Sequence, residues 1–199
     1  MSSRRQARLR LKKLAKQIPD DSALLHALVT WQTRGDDAAD HAIAVVGAAY
    51  VEHALKAAIL SRLRPEHEAA EVDALFDGDR YGPLSSFSAR TKLAHAMDIF
   101  GPITRKNLEH MRAVRNAFAH AATTLRFDDP EISELCSELE LPNEAKLEGL
   151  PNQHSSKARY IQAAWHISSA LHLQLNDQAR PENPLVESLM EMFGLPKLP

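Results

Sequence analysis

Residues 37–63, with the sequence DAADHAIAVVGAAYVEHALKAAILSRL, decide the fold class of this chain. Apolar side chains recur along them in steps of three and four residues, from Ile43 to Ile59, which is the spacing of one face of an α-helix. Asp36 or Asp37 can accept a hydrogen bond from an amide of the first turn and so cap the helix. Such a broad apolar face needs other helices to cover it, and the stretch therefore predicts a helical bundle.

The remainder of the chain shows the same helical spacing and no run with the two-residue alternation of a β-strand. Prolines, glycines and capping residues divide it into further predicted helices at about 20–31, 65–76, 87–100, 103–121, 128–139, 156–176 and 185–193, with turn-rich connections at 77–86 and 141–156. We therefore expect an all-α protein, an antiparallel helical bundle with extra N- and C-terminal helices. Its predicted parts are a basic leader helix (1–18), the bundle domain (20–178), and a short C-terminal helix with a tail (179–199).

The composition is that of an ordinary globular domain, because 44% of the 199 residues are hydrophobic and 25% are charged. The single cysteine, Cys136, excludes an intramolecular disulfide and a zinc site built from cysteines, and we expect it to be a small buried side chain. The ten histidines lack the spacing of metal ligands and no glycine-rich phosphate loop occurs, so we expect neither a metal nor a cofactor.

No apolar stretch reaches the roughly 18 residues that span a bilayer, and no apolar signal-peptide core begins the chain. The expected compartment is the cytoplasm, without membrane contact.

Positive charge is concentrated at the N-terminus. Residues 1–16 carry seven bases and no acid, whereas the rest of the chain has 17 bases and 26 acids. A basic segment attracts phosphate backbones by releasing their counterions, which makes a nucleic-acid arm one interpretation. Its candidate residues are Arg4, Arg5, Arg8, Arg10, Lys12 and Lys13. A solvated helix that balances the acidic body, or an organellar transit peptide, fits the same composition.

Two motifs carry a resemblance to a known family. They are GPLSSFSARTKLA at 82–94 and MRAVRNAFAH at 111–120, and together they resemble, in this order, the family of the mannitol operon repressor over about residues 40–135. The second motif is also similar to the Arg-x4-His signature of HEPN domains, which are helical bundles that commonly dimerise. The resemblance implies a HEPN-like bundle, a homodimer, and a regulator that acts through DNA or a protein partner without catalysis. No recognition helix of the familiar helix-turn-helix kind is evident, so a protein partner and DNA both stay open.

The same signature implies an alternative function, cleavage of RNA without a metal. In HEPN nucleases, a histidine moves the proton of a ribose hydroxyl and an arginine holds the phosphate, roles that would fall to His120 and Arg115, with Asn116 and Glu52 beside them. On one helix, however, Arg115 and His120 lie roughly 140° apart, whereas Asn116 and His120 share a face. A joint site would need a long arginine reach, an irregular helix or a second protomer. Arg115 could instead pair with Glu52 or another acid, and we favour a structural or recognition role over catalysis.

Arg90 and Lys92 are further binding candidates, together with Arg115 and His120. They follow Ser86 and Ser88, either of which can cap the start of their helix, and a capped helix start attracts anions. A solvated, capped helix start without a ligand is the alternative interpretation.

Overall fold

The computed structural model describes residues 6, 21–34, 36–63, 69–78, 81–142, 152 and 154–175. Within these residues the chain forms helices and no strand, so the predicted all-α class is confirmed. The helices are α1 (Asp21–Gln32), α2 (Asp37–Arg62), α3 (Ala69–Phe76), α4 (Phe87–Ala96), α5 (Pro102–His120), α6 (Pro130–Ser137) and α7 (Ser156–Leu175). The predicted leader helix apart from Gln6, most of the 141–156 connection, and the C-terminal helix 185–193 with its tail lie outside the described residues.

Helix α2 has the bounds that its sequence predicts and contacts α1, α4, α5 and α7. Its N-cap is Asp36, whose Oδ1 accepts a hydrogen bond of 2.7 Å from the amide of Ala39. Acidic residues, Asp37 and Asp40, occupy the first turn and Arg62 the last, which complements the helix dipole at both ends. The predicted apolar face is buried against the neighbouring helices, so α2 is the core helix of the bundle.

Helix α7 makes the most extensive contact with α2 among the described helices. The two helices approach closely at Gly47, where an added Cβ would lie 3.2 Å from Cε1 of Tyr160. The buried hydroxyl of Tyr160 donates a hydrogen bond of 2.8 Å to the carbonyl of Ala44, which satisfies a polar group inside the core. Further along both helices, the ring of Tyr50 packs edge-on against His172. Because the contacting positions advance together, α7 runs parallel to α2.

Helix α5 runs in the opposite direction to α2. Phe118, in the last turns of α5, packs edge-on against His41 near the start of α2. Arg115 lies earlier in α5 and reaches Glu52, which lies later in α2. This pair of helices is therefore antiparallel, as expected, and it places the signature motif beside the core helix.

Helix α4 ends at Ala96, one turn earlier than the apolar spacing predicted. Asp98 has a left-handed backbone with φ of 52°, and its amide donates to the carbonyl of His95. The next amide, that of Ile99, donates to the carbonyl of Ala94 at 3.0 Å, which completes a Schellman motif. The turn keeps Ile99 fully buried although the helix has stopped, and this is why the apolar spacing extended past the true end.

Helix α6 is also shorter than predicted, because a side chain from α7 donates hydrogen bonds to the carbonyl groups at its C-terminal end. Pro130 occupies the first turn, where a missing amide costs nothing. At the other end Arg159 donates from Nε to the carbonyl of Cys136 at 3.0 Å and from Nη2 to that of Ser137 at 3.1 Å. The guanidinium thus ends α6 and fixes it to α7.

The segment of α2 is, by length and composition alone, apolar enough to cross a membrane. The expectation that no stretch of this kind exists is therefore wrong. More than half of its most apolar part is buried inside the protein, which is the usual situation of a core helix.

Candidate functional site

One carboxylate joins three helices at the signature motif. Oε1 of Glu52, on α2, accepts a hydrogen bond of 3.3 Å from Nη2 of Arg115 on α5. Its other oxygen, Oε2, is 3.5 Å from Nη1 of Arg90 on α4. Glu52 and Arg90 are mostly shielded from solvent, whereas 35% of the Arg115 side chain is exposed. We call Glu52, Arg90, Arg115 and Asn116 the Glu52 cluster.

Arg90 is held by hydrogen bonds to the connection that precedes its helix. Ser86 caps α4 by accepting the amide of Ala89 at 3.1 Å, and this sets the orientation of the helix start. From there the Nε of Arg90 donates to the carbonyl of Leu84 at 2.7 Å, and Nη2 donates to that of Ser85 at 3.3 Å. Its donors therefore secure the connection before α4, which leaves it poorly suited to the anion binding that its position suggested.

Phe76 and Lys56 extend the packing around Arg90. The guanidinium carbon of Arg90 lies 5.5 Å from the centre of the Phe76 ring, and Nζ of Lys56 lies 4.8 Å from the same centre. Lys56 also pairs with Asp73 at 3.3 Å. Both distances allow cation–π attraction, so the Phe76 ring ties α3 to α2 and α4 at this point.

Asn116 joins the cluster through its neighbour in sequence. Nη1 of Arg115 donates a hydrogen bond of 3.0 Å to Oδ1 of Asn116. Consecutive residues point away from each other on a helix, and the contact forms because the long arginine side chain folds back across the surface. Asn116 therefore orients Arg115, although the helical spacing had placed it beside His120.

His120 and Lys92 are exposed to solvent, apart from the Glu52 cluster. His120 is the last residue of α5, and among the described residues no hydrogen bond, ion pair or ring contact connects it with Arg115 or Asn116. Of the four nuclease candidates the structure thus brings three together and leaves the histidine outside. The arm candidates of residues 1–16 lie outside the described residues.

The electrostatics of the cluster follow from its burial. Removal from water raises the pKa of Glu52, and this effect exceeds the opposing attraction of Arg115 and Arg90. Burial also lowers the pKa of Arg90, against the attraction of Glu52. Two guanidinium groups share one carboxylate, so the cluster keeps a net positive charge, and its solvent-facing part is Arg115.

A second buried ion pair was missed in the sequence. Asp40, in the first turn of α2, pairs with Lys157, in the first turn of α7, and its Oδ2 accepts a hydrogen bond of 3.0 Å from the amide of Phe127. The position of Asp40 could have indicated its burial, because it lies three residues before Ile43 and four before Ala44 and so falls on the core face of the helix. Nothing local to Lys157 identifies it as the partner.

The described residues contain no group of three histidine, cysteine or acidic side chains that could hold a metal ion. Cys136 is fully buried, and burial raises the pKa of its thiol to about 12. Only the thiolate is nucleophilic, so this cysteine is unreactive at neutral pH, in agreement with its expected role as a small buried side chain.

Comparisons of the chain with protein-family models, with curated proteins and with solved structures found no match. The resemblance to the mannitol operon repressor family and to HEPN domains therefore stays a prediction that rests on the two motifs.

Proposed function

We propose that the protein is a non-catalytic binding module, a regulator of the kind that its resemblance to the mannitol operon repressor family implies, which acts through DNA or a protein partner. The observation that carries the proposal is the engagement of Arg115. Its guanidinium is bound by Glu52 and by Asn116, so a phosphate would have to compete with both groups for it.

The cost of breaking the ion pairs of Glu52 favours a role in which they hold three helices together and present Arg115 to a partner. Removing one partner of a partly buried ion pair costs about 1–3 kcal/mol. The two ion pairs of Glu52 therefore fix α2, α4 and α5 relative to one another, while the exposed third of Arg115 and part of Asn116 remain accessible. A fixed, partly exposed arginine is a common anchor in protein interfaces.

The competing function, a metal-independent ribonuclease, requires a contact that one chain does not supply. His120 and Arg115 would have to face the same phosphate, and within one helix they point in different directions. A homodimer, which the HEPN resemblance implies, would have to bring His120 of one copy to Arg115 of the other. Sedimentation equilibrium at micromolar concentrations would establish whether the homodimer forms.

Purified protein incubated with single-stranded RNA and a chelator tests the two functions directly. A binding module leaves the RNA intact, and His120→Ala behaves as the wild type. A nuclease would produce cyclic-phosphate ends without a metal, because the 2′-hydroxyl attacks the neighbouring phosphate. Cleavage by the wild type that His120→Ala abolishes would overturn the proposal.

A further inference from the structure

A cavity opens at the end of the bundle, away from the residues of the Glu52 cluster. It has a volume of about 680 Å³ and lies where α1 ends and where α2, α6 and α7 begin. Binding sites for small molecules usually measure a few hundred to a thousand Å³, so the size fits a ligand of this class. Its wall includes Thr33, Asp40, Arg126, Ser133, Ser156 and Lys157.

The buried pair of Asp40 and Lys157 forms part of this wall. Asp40 is 3% exposed, and its two oxygens are taken by Lys157 and by the amide of Phe127. The ammonium of Lys157 has three protons, and Asp40 and the carbonyl of Arg34, at 3.5 Å, account for two of them. A further proton of Lys157 is thus available to an acceptor in the cavity.

Hydroxyl groups form another part of the wall. Ser133 on α6 and Ser156 on α7 share a hydrogen bond of 2.9 Å between their Oγ atoms. A hydroxyl has one donor and two acceptor positions, so this pair uses one proton and leaves the other proton and further lone pairs for a ligand. Thr33 donates its proton to the carbonyl of Thr30 and keeps its acceptor positions.

The charges of the wall balance one another. Lys157 pairs with Asp40, and Nε of Arg126 lies 3.5 Å from Oδ1 of Asp128, which also borders the cavity. The wall thus carries two acidic and two basic side chains, and it has no excess charge that would attract an ionic ligand. A hydroxyl group of a ligand both donates and accepts, so it adds hydrogen bonds to these groups without separating any pair.

We propose that this cavity binds a small uncharged molecule that carries several hydroxyl groups. The proposal stands on the cavity, the balanced ion pairs and the serine pair, and it is independent of the function proposed above. A ligand of this kind would contact the starts of α6 and α7 at once, and binding would hold these two helices together.

Calorimetric titration of the full chain with glucose, ribose, myo-inositol and xylitol, beside serine as a zwitterion and citrate as an anion, tests the ligand class. At least one of the uncharged probes binds in the millimolar range or better, and serine and citrate do not. Binding of none of the uncharged probes, or binding of serine or citrate in their place, would overturn the proposal.

Variants locate the site. Ser133→Ala combined with Ser156→Ala lowers the affinity about ten-fold, since each hydroxyl contributes one modest hydrogen bond. Ser137→Ala is the matched control, because Ser137 lies on the same helix, is exposed and does not border the cavity. Thr33→Trp, a change at an exposed position, blocks the cavity without touching the core. Unchanged affinity in the serine double variant and in Thr33→Trp would place the binding elsewhere and overturn the proposal.

Discussion

At Arg115, a change to Ala leaves Glu52 buried with only Arg90 to balance its charge. We expect Arg115→Ala to lower the free energy of unfolding by about 1–3 kcal/mol, the usual cost of disrupting a partly buried polar network. Arg112→Ala is the matched control on the same helix, where the described residues give no ion pair or hydrogen bond for the side chain. Urea unfolding followed by circular dichroism measures both changes. Equal midpoints for the two variants would mean that the Glu52 cluster contributes little to stability.

His166 should make the protein sensitive to acid. Solvent reaches 5% of this residue, and burial lowers its pKa from 6.5 to about 4. The unfolded chain takes up a proton near pH 6.5 and the folded chain does not, so stability falls as the pH drops from about 6.5 towards 4. Between pH 7 and pH 5 the expected loss is about 2 kcal/mol.

Replacing the imidazole tests that loss. Urea midpoints measured across this range should change less steeply with pH in His166→Gln than in the wild type. His154→Gln keeps the wild-type dependence, because His154 is exposed to solvent in the folded protein. A His166→Gln profile that matches the wild type would show that another group causes the acid sensitivity.

The Glu52 cluster was predictable from the sequence only in part, and the reasons lie in single residues. The Arg115–Glu52 pair was one of several open alternatives, because periodicity places Arg115 at the margin of the apolar face without naming its partner. Arg90 was a candidate for anion binding, with a solvated helix start as the alternative, and it instead donates to two carbonyls of the preceding connection. The contact of Lys157 with Asp40 joins positions far apart in sequence, which no local pattern encodes.

At the level of elements, the end of α4 offers a direct test of backbone strain. Asp98 adopts a left-handed conformation that costs little for glycine and more for other residues. We expect Asp98→Gly to raise the free energy of unfolding by about 0.5–1 kcal/mol. Ala96→Gly, in the last turn of the same helix, should lower it by about 1 kcal/mol, because glycine disfavours a helical position. Thermal melts of both variants check the two opposite signs.

Helix positions were predictable where a cap or a proline accompanies the apolar spacing. Asp36 before α2 and Pro102 at the start of α5 set those boundaries to within about one residue. The spacing failed at the end of α4, since Ile99 is buried by a turn and not by a helix. It failed again at α6, whose length depends on Arg159 from another helix.

For the whole molecule, the basic leader is the element whose removal is most informative. We expect a chain without residues 1–16 to keep its cooperative thermal melt, because seven like charges repel one another and the apolar stripe between them is narrow. If the full chain binds duplex DNA through the leader, its affinity falls steeply with salt and the truncated chain loses that dependence. Loss of the cooperative melt on truncation would make the leader part of the core.

The parallel contact of α2 with α7 also sets the order in which the chain can fold. Four of the described helices separate these partners along the chain, so closing the core demands a contact between distant segments, and such contacts slow folding. A growing chain releases α2 from the ribosome long before α7 follows it. During that interval α2, which is long and apolar enough to cross a membrane, lacks its principal cover, and a translation product that stops before residue 156 would expose it permanently. Such fragments should aggregate or be retained by chaperones, whereas the complete chain buries the same surface.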